Sequence, residues 1–143
     1  MAITRETHFG CIERLIEEDN EITRMRLWQG YEKYPEWLRK RELDKPFWEM
    51  LDSFHDVYSS MKKDGITDKL AELAKDCQTK ASLFADKSYY YEDCWNPRLD
   101  RELTQVLGHD YTVTEWLRVQ AESLSSTMRY VVKHYNEAMD LPE

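Results

Sequence analysis

The apolar residues between positions 47 and 61 constrain the fold of this chain more than any other sequence feature. They recur at intervals of three and four residues: Phe47, Met50, Leu51, Phe54, Val57, Tyr58 and Met61. This spacing places all of them on one face of an α-helix and predicts a helix that buries that face. Asp44 is a suitable N-cap for this helix, Pro46 fits its first turn, and Gly65 is expected to end it.

The same helical period is present upstream of this segment. Residues 8–29 are expected to form an amphipathic helix, whose apolar face contains Ile12, Leu15, Ile16 and Ile22. After Met25 the apolar positions move round the helix, which predicts a kink or a change of packing partner near Gly30. Pro35 is placed to begin a short helix that extends through Leu43.

Downstream, a third long helix is expected from Thr67 or Asp68, either of which can cap it, to about Asp86. Its apolar face consists of Leu70, Leu73, Ala74, Cys77, Ala81 and Phe84. The pair Asn96-Pro97 predicts the start of a shorter helix. The apolar positions of that helix are Leu99, Leu103, Val106 and Leu107, and Gly108 is expected to end it.

The last helix is expected to begin at a capping box formed by Thr112 and Glu115. One face of it carries Leu117, Ala121, Leu124, Met128, Val131, Tyr135 and Ala138. No window of the sequence shows the polar and apolar alternation of a strand. The sequence therefore predicts an all-α fold, an antiparallel helical bundle of three to four long helices with one or two short extra helices.

Composition agrees with a packed chain that folds as a single helical domain over residues 1–143. Hydrophobic residues make up 41% of the 143 residues, and there are only four glycines and four prolines. A chain of this length can bury a core without disulfides or metals. The three cysteines at positions 11, 77 and 94 are widely spaced, so we expect reduced thiols, with Cys77 in the core and Cys94 exposed.

Charge and hydropathy exclude several classes of function. With 20 basic and 28 acidic residues the net charge is −8, which disfavours binding to a phosphate backbone, so no direct DNA binding is expected. No stretch of 18 apolar residues is present, and the N-terminal residues become charged before an apolar signal region could form. We therefore expect no membrane association and a cytoplasmic location.

The sequence contains no strong signature of an enzyme. The glycines are scattered and cannot cradle a phosphate, and no Gly-x-Ser-x-Gly segment is present. A carboxylate-bridged di-iron bundle needs two Glu-x-x-His motifs, whereas this chain offers one approximate half of such a site, at Asp52 and His55. No metal or cofactor is therefore expected, and His55 is expected at the boundary of the core. A metal or redox carrier that uses His55 and neighbouring carboxylates is the weakest alternative.

Arg129 and His134 lie within the segment Arg-Tyr-Val-Val-Lys-His of the last helix. This segment resembles the Arg-x4-His motif of HEPN-domain ribonucleases, which are small all-α proteins that dimerise to form a composite site. The resemblance covers six residues. It implies an alternative function as a metal-independent ribonuclease, in which Arg129 and His134 would polarise the RNA phosphate and assist attack by the 2′-hydroxyl group.

Acidic stripes are the first feature that favours a binding protein. Glu13, Glu17 and Glu21 are spaced by four residues, so their like charges lie on one helix face and repel one another. Asp68, Glu72 and Asp76 form a similar stripe on a later helix. Such faces are commonly just solvated. The functional interpretation is a docking surface for a basic partner.

Aromatic clusters are the second such feature, because Tyr and Trp are enriched at protein interfaces. Three consecutive tyrosines cannot all face one core, so at least one of them is expected on the surface. The residues expected to bind a partner are Glu13, Glu17, Glu21, Trp28, Tyr31, Tyr89, Tyr90, Tyr91 and Trp95. The leading hypothesis is a small acidic protein that binds another protein, either as an accessory subunit of a larger complex or as an inhibitor or immunity-type protein of a basic partner. A homodimer is compatible with the same features.

Overall fold

The computed structural model describes residues 3–89 and 113–142, and all regular secondary structure in these residues is helical. The helices are α1 (Arg5–Glu21), α2 (Thr23–Lys33), α3 (Pro35–Lys40), α4 (Asp44–Asp64), α5 (Asp68–Tyr89) and α6 (Val113–Met139). The predicted all-α fold is therefore confirmed. Four of these helices are long and two are short. The short helix α3 begins at Pro35 as predicted, whereas α2 was expected to continue the first helix.

The first predicted helix differs from the observed one at both ends. It begins earlier, at Arg5, because Thr4 forms a capping box with Thr7. It is interrupted at Ile22 rather than near Gly30. Ile22, which the helical period places on the apolar face, is 49% exposed at this break. Gly30 instead lies buried within α2, where a Cβ atom would lie 2.7 Å from Leu117 Cδ2, so the glycine allows α2 to approach α6 closely.

The residues that end or cap α4 and α5 agree with the sequence prediction, with one correction at the start of α4. The predicted N-cap Asp44 is wrong, because Leu43 occupies the cap position and Asp44 lies in the first turn. A carboxylate in the first turn still interacts favourably with the positive end of the helix dipole. Gly65 ends α4 with a positive φ of 77°, as predicted. Of the two candidate caps for α5, Thr67 has this role, since its hydroxyl accepts a hydrogen bond from the Leu70 amide.

Side-chain contacts show that the long helices α5 and α6 run antiparallel. Asp68, at the start of α5, accepts a hydrogen bond from Tyr135 near the end of α6. Further along α5, Ser82 contacts Ser125, earlier in α6, with 2.6 Å between the hydroxyl oxygens. Helix α6 also packs against α1 and α2, and α4 packs against α5 and α1. The predicted antiparallel bundle is therefore confirmed.

Most of the residues that the helical period selects in the long helices α4, α5 and α6 are buried in the core, whereas Tyr58 and Leu73 are partly buried and pack against it. Phe47, Phe54 and Phe84 are its largest fully buried side chains. All seven residues predicted to line the inner face of α6 are buried. Cys77 is fully buried in the core, as expected. None of the described helices has the length and hydropathy that a membrane span requires.

Several predictions concern parts of the chain that the structure does not describe. The expected short helix from Asn96 to Gly108 lies outside the described residues, and so do Cys94 and the capping residue Thr112.

Candidate functional site

An open groove lies between α4 and the junction of α1 and α2. Its volume is about 600 Å³. The groove is lined by Asn20, Arg24, Met25, Trp28, Trp48, Leu51, Asp52 and His55. Four of these side chains are apolar and four are polar, and hydrogen bonds join Arg24 to Asn20 and His55. Apolar walls with a few polar groups are usual in a site that recognises a partner or ligand.

The interruption at Ile22 determines which side chains reach this groove. Ile22, Met25 and Trp28 follow one another at intervals of three residues, and they are 49%, 53% and 42% exposed. We call these three residues the exposed stripe. Because they share one face of the chain at the start of α2, their exposure creates a continuous apolar surface, of which Met25 and Trp28 line the groove.

Trp28 is held in place by a series of aromatic rings that extends to the core. Its ring centroid lies 5.8 Å from that of Trp48, edge to face, and 6.2 Å from that of Tyr31. The Tyr31 ring stacks on Phe47 at 5.2 Å, and Phe47 contacts Phe84 in the core. These contacts fix the orientation of Trp28 although its side chain is exposed.

The polar side of the groove is organised around Arg24. Its guanidinium donates hydrogen bonds to Asn20 Oδ1 at 3.1 Å and to His55 Nδ1 at 3.2 Å. Arginine can only donate, so Nδ1 of His55 accepts and the ring proton lies on Nε2, which contacts Ser59 Oγ at 3.3 Å. His55 is exposed in the groove, and its predicted position at the core boundary is wrong.

The acidic stripe of α1 does not form one uniform surface. Glu13 and Glu21 are exposed, whereas Glu17 is partly buried and forms an ion pair with Lys62 of α4. The hydrogen bond from Lys62 to Glu17 raises the pKa of Lys62. One of the three predicted charges is therefore engaged within the molecule and is not free to attract a partner.

The remaining aromatic residues predicted to bind a partner are distributed differently. Tyr31 is partly buried and supports Trp28 instead of facing solvent. Tyr89 is 60% exposed at the end of α5, with the Arg118 guanidinium 5.8 Å from its ring centroid, and it does not line the groove. Tyr90, Tyr91 and Trp95 lie outside the described residues.

The two residues of the Arg-x4-His segment face different neighbours. Arg129 is exposed and lines a small polar groove between α5 and α6, together with Ser82 and Asp86. His134 forms a hydrogen bond with His8 of α1, with 3.0 Å between the two Nδ1 atoms. Within one copy of the chain, α6 therefore presents Arg129 and His134 to different helices.

The motifs and spacing of the sequence did not single out His8 or Glu137, two of the potential metal ligands in the structure. Together with His134 they place three potential ligand atoms within 4.8 Å of one another. The sequence contains one signal for this cluster, because His134 and Glu137 are three residues apart on a predicted helix and so share a face. The third member could not be inferred, since His8 lies 126 positions away.

No protein-family model matches the chain, and comparisons with curated proteins and with solved structures find no match either. The function must therefore be inferred from the groove and from the chemistry of the residues around it.

Proposed function

We propose that this protein binds another protein, and that the groove between α4 and the junction of α1 and α2 takes up an apolar side chain of the partner. The exposed stripe of Ile22, Met25 and Trp28 carries this proposal. Each of these side chains is more than two-fifths exposed, and two of them line a groove of about 600 Å³. A large apolar surface of this kind is typical of an interaction site, because burying it against a partner releases free energy.

The aromatic base beneath Trp28 supports the same proposal. A side chain that is already fixed by Trp48 and Tyr31 loses little rotamer entropy when a partner covers it. Tryptophan is also the residue type most enriched among those that dominate binding energy at protein interfaces. Trp28 is therefore the expected anchor of the complex.

Charge favours a partner with basic residues next to its apolar anchor. The chain has a net charge of −8, and exposed carboxylates lie at Asp52, which lines the groove, and at Glu21, which directly follows the lining residue Asn20. The guanidinium of Arg24 is the cation of the groove, and its hydrogen bonds to Asn20 and His55 hold it within the wall. We infer that the occupant is an amphipathic segment of a partner protein whose flanking lysines or arginines meet these carboxylates. An accessory subunit and an inhibitor of a basic enzyme would both use such a surface.

Site-specific photo-crosslinking tests where the partner binds. A benzophenone amino acid is placed at Met25 in the full chain, and a second version carries it at Leu83 of α5, which is comparably exposed at 43%. Both are irradiated in an extract of the native host. We expect a defined product from position 25 that position 83 does not give. The same products from both positions would contradict the proposal.

The captured partner is then purified and titrated against variants by calorimetry. Trp28→Ala is expected to weaken binding at least tenfold, since it removes the anchor. Leu83→Ser serves as the matched control and is expected to leave the affinity unchanged. Equal affinities for all three proteins would refute the proposed site. A dimer of this chain in light scattering that Trp28→Ala dissociates would assign the groove to a second copy and would also overturn the proposal.

A further inference from the structure

The beginning of α1 meets the end of α6 at a cluster of three side chains that can ligate metal. Nδ1 of His8 lies 3.0 Å from Nδ1 of His134 and 3.8 Å from Oε2 of Glu137. His134 and Glu137 are separated by one helical turn, and both face α1. We propose that His8, His134 and Glu137 form a binding site for a divalent transition-metal ion of the zinc type.

The distances in the cluster fit a tetrahedral ion. Zinc binds nitrogen and oxygen ligands at roughly 2.0–2.2 Å, so two ligand atoms of a tetrahedral site lie about 3.4 Å apart. The observed separations of 3.0 Å and 3.8 Å bracket this value. All three ligand atoms lie within 4.8 Å of one another. Small side-chain rotations would therefore bring them to equal distances from one ion.

The ligand types select the class of metal. Two imidazole nitrogens and one carboxylate oxygen suit zinc and its transition-metal neighbours, whereas calcium and magnesium prefer sites made of oxygen atoms. In the metal-free protein the two histidines share one proton in the hydrogen bond between their Nδ1 atoms. A metal ion would take the place of that proton and bind both Nδ1 atoms, the donor ring would carry its proton on Nε2 instead, and Glu137 would balance part of the charge of the ion.

The surrounding structure holds the two helices in position for such a site. Arg5, one turn before His8, donates hydrogen bonds to the carbonyl oxygens of Ala138 and Leu141, each at 3.0 Å. These bonds fix the start of α1 against the end of α6. The side chain of His8 is 9% exposed, while that of Glu137 is 46% exposed. An ion with three protein ligands therefore has its fourth position on the solvent side, where water can complete the tetrahedron.

Metal titration of the full, untagged chain tests this site. The protein is first dialysed against a chelator and then titrated with zinc by calorimetry, and with cobalt by visible spectroscopy, which reports tetrahedral coordination. We expect one equivalent of zinc to bind. At a zinc concentration of about a hundred times Kd, the melting temperature is expected to rise by roughly 5–10 °C.

Three variants identify the ligands. His134→Ala and Glu137→Gln are each expected to lower the zinc affinity at least tenfold. His55→Ala removes an exposed histidine outside the cluster and is expected to leave the zinc affinity unchanged. Because Glu137 is exposed, its substitution is expected to leave the helical circular dichroism unchanged, so a loss of affinity in that variant reports ligation and not unfolding.

Two results would overturn the inference. The absence of zinc binding to the wild-type chain would leave the cluster as a hydrogen-bonded histidine pair with a structural role. Binding that survives both His134→Ala and Glu137→Gln, or that is lost in His55→Ala, would place the ion elsewhere on the acidic surface.

Discussion

A buried carboxyl group at Asp19 gives the sharpest prediction about stability. Its side chain is 8% exposed, and Oδ1 accepts a hydrogen bond of 2.9 Å from the Thr23 hydroxyl. The Thr127 hydroxyl lies within hydrogen-bonding range but donates its proton to the Ser123 carbonyl at 3.0 Å. Oδ2 therefore has no donor among the described residues. Burial, with a smaller contribution from the charge of Glu18, raises the pKa of Asp19 from 3.8 to about 6.

The sign and size of the effect follow from proton linkage. A pKa raised on folding means that the folded state binds the proton more tightly, so unfolding releases it at intermediate pH. The contribution of Asp19 to stability is greatest below pH 3.8 and is lost as the pH rises through about 6. A difference of about two pKa units corresponds to about 3 kcal/mol of unfolding free energy. The ionised carboxylate therefore destabilises the protein by about this amount at neutral pH.

The substitution Asp19→Asn tests this reasoning, because the amide has the same shape and no charge. Its Oδ1 can accept from Thr23, and its NH₂ group can donate to the Thr127 hydroxyl. We expect the variant to be more stable than the wild type by about 3 kcal/mol near pH 7.5, and nearly equal to it near pH 4. Urea unfolding followed by circular dichroism measures both differences, and the comparison cancels the contribution of the other carboxylates.

Asp56→Asn provides the control, since Asp56 is an exposed carboxylate of α4. Its effect is expected to stay below about 0.5 kcal/mol at either pH. A loss of stability in Asp19→Asn near pH 7.5 would refute the assignment of Asp19 as an unsatisfied carboxylate. An equal gain at both pH values would show that the gain does not come from titration.

Three further predictions concern the packing of the bundle. Gly30→Val is expected to lower the free energy of unfolding by about 1–3 kcal/mol, because the new side chain would collide with buried Leu117. Urea unfolding measures this difference, and an unchanged value would show that α2 can move away from α6. Tyr135→Phe is expected to cost about 1 kcal/mol, because it removes the hydrogen bond to Asp68. A double-mutant cycle with Asp68→Ala, which removes the acceptor, should show coupling, and additive effects would contradict this contact. Burial raises the pKa of the Cys77 thiol to about 12, so iodoacetamide near pH 8 should label Cys77 only after the protein unfolds. Mass spectrometry measures the labelling, and a labelled Cys77 in the native protein would contradict its burial.

The helical spacing of the apolar residues was sufficient to predict the long helices and the faces that they bury. The inner face of α6, from Leu117 to Ala138, was predicted completely because seven apolar residues at helical spacing leave little choice of face. The points where one helix ends and the next begins were predicted less well. The period shows that the apolar positions shift after Met25, but the interruption lies at Ile22. The close approach of Gly30 to Leu117, which joins segments far apart in sequence, could not be inferred from the period either.

The arrangement of the surface charges was predicted only in part, because it also depends on contacts between segments far apart in sequence. The spacing of Glu13, Glu17 and Glu21 correctly places them on one helix, and two of them are exposed. The sequence does not show that Lys62 of another helix would pair with Glu17. The partner of a surface charge depends on which helices are neighbours, and a helical period gives the buried face of a helix without identifying its neighbour. The cytoplasmic location of the protein and its binding to a basic partner protein stay predictions.

The groove and the histidine cluster lie at opposite ends of α1, which makes their proposed functions separable. His8 lies in the second turn of α1, and Asn20, at the edge of the groove, lies near its end. Twelve residues of helix separate them by about 18 Å, at 1.5 Å per residue. A metal ion at His8 therefore contacts no residue of the groove. If metal binding alters the affinity for a partner at Trp28, the effect must pass through the packing of α1 against α6, and Glu137→Gln should abolish it without changing the metal-free affinity.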